Sequence, residues 1–342
     1  MIKPNSVESV KLSQTPGMGQ RDLPPMEELS GYPAHDDLFV CALGFEDRCT
    51  EALARLSKND YKVRNSIVLK YDAHQADNET NASQLYQLLK HVTSDAIKEC
   101  EYRTSDIIGT SGQMITTISS FNFKRVAIDI SSFTTGLILQ ILDILFQTGI
   151  DQLRILYTEA EKYYPTSPVS QDELSLSSGV RQILTLPSFS GIYYPGYSPL
   201  LIVLLGFEPI RIRGLFNAFQ PSRKIGVVGI PTRSDLKWRL PYAKKIYENL
   251  FGQQDRLIEL SEFDYRETLE GLEKIYAEFS QKNNIAIAPL GSKMETLATF
   301  LFLRKHPDVQ LLMSLPMKYD PRRYTDGSGR TYQILFKPNR TE

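Results

Sequence analysis

From Leu38 onward, short runs of apolar residues alternate with longer segments in which apolar residues recur at helical spacing. The short runs have the length of buried strands, and spacings of three and four place apolar side chains on one face of a helix. The clearest helical stripe consists of Leu269, Leu272, Ile275, Tyr276 and Phe279. Alternating strands and helices are typical of a parallel sheet that is covered on both faces. The chain is therefore predicted to be an α/β protein with mostly parallel sheets.

The pattern predicts the same succession of elements in both halves of the chain. In the first half, strands are predicted near residues 38–43, 66–70, 100–103, 126–130 and 153–158, with helices near 46–57, 80–98, 111–121 and 134–148. In the second half, strands are predicted near 200–205, 225–229, 256–260, 285–289 and 309–315, with helices near 208–219, 238–251, 264–282 and 292–304. A turn at 325–329 and the alternation of Tyr332, Ile334 and Phe336 predict one extra edge strand.

One apolar segment occurs twice with the same ending. Residues 38–46 run from an apolar strand into Gly-Phe-Glu, and residues 200–208 do the same. Two further landmarks recur in the same order, residues 126–130 in 285–289 and residues 162–165 in 318–321. We therefore predict two tandem Rossmann-like three-layer units that are related by internal duplication, with a ligand site where their strand ends meet.

The domain boundaries follow from changes in composition. Residues 1–36 are polar and without periodicity, which predicts a flexible N-terminal arm or a segment that orders on a partner. Residues 37–190 form the predicted first Rossmann-like unit. A segment rich in proline and glycine around residues 186–199 separates it from the second unit, residues 198–342, which ends in a predicted C-terminal edge hairpin.

The overall composition restricts the possible partners. Across 342 residues the net charge is −1, so the general cationic field that extended duplex nucleic acid attracts is not expected. No segment approaches the run of about 18 apolar residues that a membrane span needs. The three cysteines have no C-x-x-C spacing, which argues against a disulfide framework and against a structural zinc site. A cytoplasmic protein without membrane contact is expected.

In open α/β sheets, ligands bind beyond the carboxyl ends of the strands, where loops and helix N-termini gather. The turn after the first strand of each unit supplies the ligand-binding candidates Gly44, Glu46 and Arg48, and Gly206, Glu208 and Arg211. Glycine permits close backbone approach, and arginine holds a phosphate or carboxylate through two parallel hydrogen bonds. Alternatively, the acids lie in a first helical turn, where the dipole favours them, and the arginines are solvated.

A second set of candidates follows the fourth strand of each unit, namely Ser131, Ser132 and Thr134, and Gly291, Ser292 and Lys293. Hydroxyl groups and glycine at a helix start suit an anionic ligand, but helix capping alone also explains the hydroxyls. Capping does not explain Lys293, because a cation in the first turn of a helix is unfavourable unless an anion lies close to it. The turns after the first strands contain neither G-x-G-x-x-G nor a P-loop, so ordinary NAD or P-loop nucleotide binding is not expected.

The C-terminal part of the second unit combines basic and aromatic residues. Tyr319, Arg323 and Tyr324 are predicted to close over a ligand, and Lys318 is a further ligand-binding candidate. Arginine and aromatic side chains together suit phosphate contacts and base stacking. An ordinary solvated surface is the alternative. The expected ligand is a nucleotide-like anionic small molecule.

The segment Gly291–Lys293 opens a late helix of the second unit, and the same plan of strands and helices spans both units. In these features the chain resembles the CARF-type Rossmann-like sensor domains of prokaryotic antiviral defence, in which a G-[ST]-K element opens such a helix. The resemblance implies paired domains that bind cyclic oligoadenylates in the groove between them. Here both domains would lie in one chain. The first unit has Ser131–Phe133 at the equivalent place and lacks the lysine, which argues against a symmetric ligand.

Three functions are compatible with these patterns. The first is a sensor of a nucleotide or phosphorylated ligand, a regulatory subunit that acts on a protein partner or a second copy of the chain, without a cofactor. The second is a metal-dependent nuclease or nucleotide hydrolase, in which Glu46, Asp72 and Asp129 at strand ends of the first unit hold Mg²⁺ or Mn²⁺. The third is an interaction scaffold with vestigial pockets. The sequence leaves open whether the protein is an enzyme.

Overall fold

The computed structural model describes residues 9–10, 23–30, 35–169, 177–319 and 325–337. The chain divides into two compact units. The first unit combines Leu23–Tyr164 with Pro321–Glu342, and the second unit combines Met1–Asp22 with Pro165–Asp320.

Strands and helices alternate through both units. The strands are β1 (Ser9–Val10), β2 (Glu27–Glu28), β3 (His35–Leu43), β4 (Lys62–Tyr71), β5 (Thr93–Tyr102), β6 (Arg125–Asp129), β7 (Gln152–Thr158), β8 (Lys162–Tyr163), β9 (Ser177–Ser178), β10 (Gln182–Leu184), β11 (Ser198–Leu205), β12 (Arg223–Ile230), β13 (Arg256–Ser261), β14 (Asn283–Pro289), β15 (Gln310–Leu311), β16 (Met313–Leu315), β17 (Lys318–Tyr319), β18 (Thr325–Asp326) and β19 (Thr331–Phe336). The α-helices are α1 (Glu51–Ser57), α2 (Gln75–Asn78), α3 (Ala82–Val92), α4 (Ile107–Ser119), α5 (Thr135–Gln147), α6 (Pro209–Phe219), α7 (Arg239–Tyr247), α8 (Tyr265–Phe279) and α9 (Lys293–Lys305).

The first unit is built on a sheet with the strand order β2-β19-β7-β6-β3-β4-β5. All neighbours from β7 to β5 are parallel, whereas β19 runs antiparallel to β7 and β2. Along the central strand β3, Phe39, Cys41 and Leu43 pack with side chains of α1 and α3 in one core. The intervening Leu38 and Val40 are equally buried, so both faces of the sheet are covered, as a continuous apolar run predicts.

The second unit repeats this plan with the order β1-β13-β12-β11-β14-β15, in which all neighbours are parallel. On the central strand β11, Leu201 and Val203 pack with residues of α6 and α7. The alternate residues Leu200 and Ile202 are also fully buried. The predicted fold class, two Rossmann-like α/β units with mostly parallel sheets, is confirmed.

The helix predicted over residues 80–98 is shorter than expected. It ends at Val92, and Thr93–Tyr102 is the edge strand β5. Most side chains of this strand are exposed or half-buried, and many are polar, as is common in edge strands. Its polar composition therefore hides the strand from a search for apolar runs.

The C-terminal strand and the N-terminal arm correct the predicted domain limits. The strand Thr331–Phe336 exists as predicted, but it pairs with β7 in the sheet of the first unit and is not an edge hairpin of the second. Two pieces of the predicted flexible arm are strands: β1 extends the second sheet and β2 extends the first. Backbone pairing of distant segments decides these assignments, and local periodicity does not report it. No helix in the described part of the chain has the length and apolar character to cross a bilayer.

Candidate functional site

In the first unit, the strand order reverses between β3 and β6. The chain passes from β3 to β4 and β5 on one side, and β6 and β7 lie on the other. The carboxyl ends of two neighbouring parallel strands therefore diverge into opposite layers at this point, which is where ligands bind in open α/β sheets. The loops that meet there contain Gly44, after β3, and residues 130–134, after β6. The sequence-predicted residues of this unit are thus brought together.

Gly44 lies in close contact with the loop after β6. A Cβ atom on residue 44 would lie 2.9 Å from the Cβ of Ser132. The Ser132 hydroxyl in turn donates to the carbonyl oxygen of Ala42 at 3.1 Å. The glycine is needed here for close packing of the two loops, as its position in the sequence suggested.

The hydroxyl residues after β6 have structural roles. Both the backbone N–H and the hydroxyl of Ser131 donate to Asp129, and the Ser131 hydroxyl accepts from Thr158 N–H at 2.8 Å. The Thr134 hydroxyl accepts from Leu137 N–H at 3.3 Å and caps α5. The capping alternative therefore holds for Thr134, and Ser131 joins the ends of β6 and β7.

Arg48 forms a buried ion pair with Glu46 at 2.8 Å and donates to the carbonyl oxygen of Thr158 at 3.2 Å. Only 5% of Arg48 is exposed. Burial has the largest single effect and lowers the pKa of this guanidinium, but Glu46, Tyr157 and Tyr163 together outweigh it, and the pKa lies above its ordinary value. The sequence predicts either that Arg48 binds a ligand or that it is exposed to solvent. Both expectations need correction, because Arg48 is buried and bonded to Glu46 and Thr158 of the protein.

The second unit has its strand-order reversal between β11 and β14. A Cβ on Gly206 would lie 2.2 Å from the carbonyl oxygen of Leu290. The N–H of Leu290 donates to the carbonyl oxygen of Leu204 at 3.0 Å. Arg211 pairs with Glu208 and donates through Nε to the carbonyl oxygen of Ser314 at 3.1 Å. The arrangement matches that of the first unit, and Arg211 is likewise held by protein groups.

The start of α9 carries a capping box. The Ser292 hydroxyl accepts from Glu295 N–H at 3.1 Å, and the Glu295 carboxylate accepts from Ser292 N–H. Gly291 leaves room for that carboxylate, since a Cβ at this position would lie 2.0 Å from Glu295 Oε2. Burial, with the neighbouring charge of Glu262, raises the pKa of Glu295 to about 8. The capping alternative thus holds for Ser292, while Lys293 is half-buried at the first helical position.

The three acids of the metal hypothesis do not converge. Glu46 is paired with Arg48, and Asp129 accepts from Ser131. Asp72 accepts from Thr104 N–H at 2.9 Å and from the hydroxyl of Ser105 at 3.1 Å. Among the side chains that the structure describes, no group of three or more His, Cys, Asp or Glu residues is placed to hold a metal ion. In this structure, the three acids therefore do not form the metal centre of the alternative hypothesis.

The structure describes only two of the four basic and aromatic candidates at the end of the second unit. The backbone of Lys318 and Tyr319 forms β17, which pairs with β9. Arg323 and Tyr324 lie outside the described residues. Their role in closing over a ligand stays a prediction.

The sequence did not identify two residues that support the first strand-order reversal. The hydroxyl of Tyr71 donates to the carbonyl oxygen of Ser132 at 2.9 Å and accepts from Thr134 N–H at 3.1 Å. The Asn81 side chain donates to the carbonyl oxygen of Gly44 at 2.9 Å. Their positions in the sequence could have identified them, since Tyr71 is the last residue of a strand and Asn81 directly precedes a helix.

An aromatic group lies beside Gly206 in the second unit. The ring of Phe207 is stacked with that of Tyr242 at an interplanar angle of 23°. The ring centres of Trp238 and Tyr242 are 5.4 Å apart. The Arg239 guanidinium is 4.9 Å from the Phe207 ring centre. Aromatic rings with an arginine are the elements that stack on nucleic-acid bases.

Comparison with known proteins supports the fold. No protein-family model matches the chain, and no curated protein matches it. The chain is similar to a solved structure described as a Type III CRISPR defence DNA nuclease activated by cyclic oligoadenylate, with a TM-score of 0.53 and 9% identity over 82% of this chain and 67% of the other. It also matches the cytoplasmic domain of a prokaryotic cation chloride cotransporter, with a TM-score of 0.23 and 7% identity over 84% of this chain and 99% of the other. At the level of the fold, the first of these likenesses confirms the distant resemblance drawn from the sequence.

Proposed function

We propose that the protein is a sensor that binds a cyclic oligoadenylate or a related nucleotide, and that it acts as a regulatory subunit of an antiviral defence system. The observation that carries this proposal is the fold likeness, over 82% of the chain, to a nuclease described as activated by cyclic oligoadenylate. The signal passes to a protein partner or a second copy of the chain.

The chemistry at the start of α9 supports an anionic ligand. Lys293 occupies the first position of this helix, where the positive end of the helix dipole disfavours a cation. A phosphate group of the ligand would stabilise both the lysine and the helix N-terminus. In the same unit, Phe207, Trp238 and Tyr242 supply aromatic surface for a base.

We also infer that the two units arose by duplication. Each contains the same five-strand arrangement, β7-β6-β3-β4-β5 in the first unit and β15-β14-β11-β12-β13 in the second. In each, the glycine after the central strand packs on the loop after the fourth strand. In each, the glutamate of Gly-Phe-Glu pairs with an arginine that also donates to a backbone carbonyl oxygen. That oxygen belongs to Thr158 in the first unit and to Ser314 in the second.

Calorimetric titration of the full chain with cyclic oligoadenylates of several ring sizes, a linear oligoadenylate and ATP tests the proposed function. Lys293→Ala is expected to weaken binding of the cyclic ligand by roughly tenfold or more, since a hydrogen bond to a charged group is worth about 1.5–3 kcal/mol. Thermal stability should change little, because the helix dipole disfavours a cation at the first position of the helix.

Lys282→Ala is the matched control. Lys282 is exposed just before β14, at the opposite end of that strand, so its removal should leave binding unchanged. Absence of saturable binding by every nucleotide would reject the sensor and favour the scaffold hypothesis. Equal loss in both variants would show that the lysine contributes only general charge.

A further inference from the structure

A short segment of the second unit, residues 165–169, contacts the aromatic group that lies beside Gly206. We call this segment the strap. Arg239 donates through Nη2 to the carbonyl oxygen of Pro165 at 3.1 Å, and the Tyr242 hydroxyl donates to the carbonyl oxygen of Val169. The Val169 side chain packs against the core of the second unit, as the Tyr242 ring does. The strap thus takes up one hydrogen-bond donor from each of two side chains in the aromatic group.

Few interactions hold the strap in place. It has no regular secondary structure, and Thr166, Ser167 and Pro168 are exposed. Within the described part of the chain, none of its residues takes part in a backbone–backbone hydrogen bond. The bonds to its backbone come from the side chains of Arg239 and Tyr242. A segment with few bonds and few buried contacts opens at a low cost in free energy, so the strap can leave while the unit stays folded.

The side chains that hold the strap are also suited to hold a nucleotide base. The Arg239 guanidinium lies 4.9 Å from the ring centre of Phe207 and 5.6 Å from that of Trp238. Bases stack on aromatic rings and on arginine. Adenine N7 accepts a hydrogen bond, as the carbonyl oxygens of the strap do. A bound base and the strap therefore compete for the donors of Arg239 and Tyr242.

We propose that the strap controls access to the aromatic group, and that a nucleotide binds there by displacing residues 165–169 from Arg239 and Tyr242. This inference rests on the proposed function, since it concerns the regulation of the same nucleotide site. While the strap is closed, the apparent affinity is reduced in proportion to the fraction of molecules that are open. Because the nucleotide binds the open form, it shifts the protein toward that form. The displaced strap is then the change that a sensor passes to its partner.

Val169→Ala tests this inference, because it loosens the strap and alters no side chain of the aromatic group. Calorimetric titration of the full chain with cyclic tetra-adenylate should give a dissociation constant roughly threefold to tenfold lower than that of the unaltered protein, since a larger fraction is open. Val180→Ala is the matched control. Val180 is also half-buried in the second unit, where it packs against α6 at Gly214. Its truncation should leave the dissociation constant unchanged.

Trp238 supplies a second measurement that needs no nucleotide. It is the one tryptophan of the chain, and its ring centre lies 5.4 Å from that of Tyr242. Loosening the strap should make this group more accessible to solvent. In the absence of nucleotide, acrylamide should therefore quench the fluorescence of Val169→Ala more strongly than that of the unaltered protein or of Val180→Ala.

The two measurements separate the inference from the proposed function. If neither the unaltered protein nor Val169→Ala binds any nucleotide, the proposed function is rejected and the role of the strap with it. If cyclic tetra-adenylate binds the unaltered protein, but Val169→Ala does not tighten binding or does not increase the quenching, the inference about the strap alone is overturned. Equal effects of Val180→Ala would also overturn it, because they would show a general loosening of the unit.

Discussion

Gly206 and Leu290 approach each other so closely that a Cβ on residue 206 would lie 2.2 Å from the Leu290 carbonyl oxygen. Leu290 cannot easily retreat, because its own N–H donates to the carbonyl oxygen of Leu204 in the neighbouring strand. In the first unit, a Cβ on Gly44 would also be too close to the loop after the fourth strand, at 2.9 Å from the side-chain Cβ of Ser132. Both strand-order reversals therefore depend on a residue without a side chain.

Gly206→Ala is expected to destabilise the protein strongly, by about 3 kcal/mol or more, because the added methyl group meets backbone atoms in a packed region. Gly44→Ala should cost less, about 1–3 kcal/mol, since the predicted overlap is smaller. Urea unfolding followed by circular dichroism measures both.

Gly112→Ala is the control for these two variants. Gly112 is exposed in α4, and a Cβ there would meet no atom within 4 Å. Alanine is the better helix former, so this change should stabilise the protein by up to about 1 kcal/mol. If Gly206→Ala behaves like Gly112→Ala, the close approach to Leu290 does not exist.

A second prediction concerns the pH dependence of stability. Burial raises the pKa of Glu295 to about 8 from an ordinary value of 4.5. Between these values the folded protein holds a proton that the unfolded chain releases, so the free energy of unfolding falls as pH rises from about 4.5 to about 8. Glu295→Gln is neutral at every pH and keeps an oxygen to accept from Ser292 N–H.

The glutamine variant should therefore match the unaltered protein near pH 4 and exceed it increasingly toward pH 8, by up to about 1.4 kcal/mol per pH unit. Urea unfolding at several pH values measures the difference. Glu248→Gln, at an exposed glutamate of the same unit, controls for the loss of one negative charge. A constant difference across the whole pH range would contradict the buried-acid explanation.

Local pattern predicted most of the elements because their central strands are buried on both faces. The strand predicted at 38–43 is found at His35–Leu43, and that predicted at 200–205 is found at Ser198–Leu205. The edge strand Thr93–Tyr102 was partly missed because its exposed side chains remove the apolar signal. The sheet membership of Thr331–Phe336 depends on pairing with a strand far away in the sequence.

The contact between the two loops after β3 and β6 was predictable from the sequence, whereas the binding of a ligand there stays a prediction. The rule for parallel sheets correctly brought Gly44 next to Ser132. It could not tell that Arg48 and Arg211 would be paired with Glu46 and Glu208, because ion pairing depends on side-chain directions.

The sheet membership of the C-terminal strand gives a third prediction. Ile334 is buried in β19, which pairs with β7 in the first unit, and Leu311 is buried in β15 of the second sheet. Ile334→Ala should cost about 2–5 kcal/mol by leaving a cavity. Its effect should be local to the first sheet, because units with separate cores open separately.

Hydrogen exchange measured by mass spectrometry distinguishes the two units. In Ile334→Ala, the amides of residues 152–158 should exchange faster while those of 198–205 keep their protection. Leu311→Ala, a matched truncation in the other sheet, should show the reverse. If Ile334→Ala instead accelerated exchange in residues 198–205 alone, β19 would belong to the second sheet, as the sequence pattern first suggested.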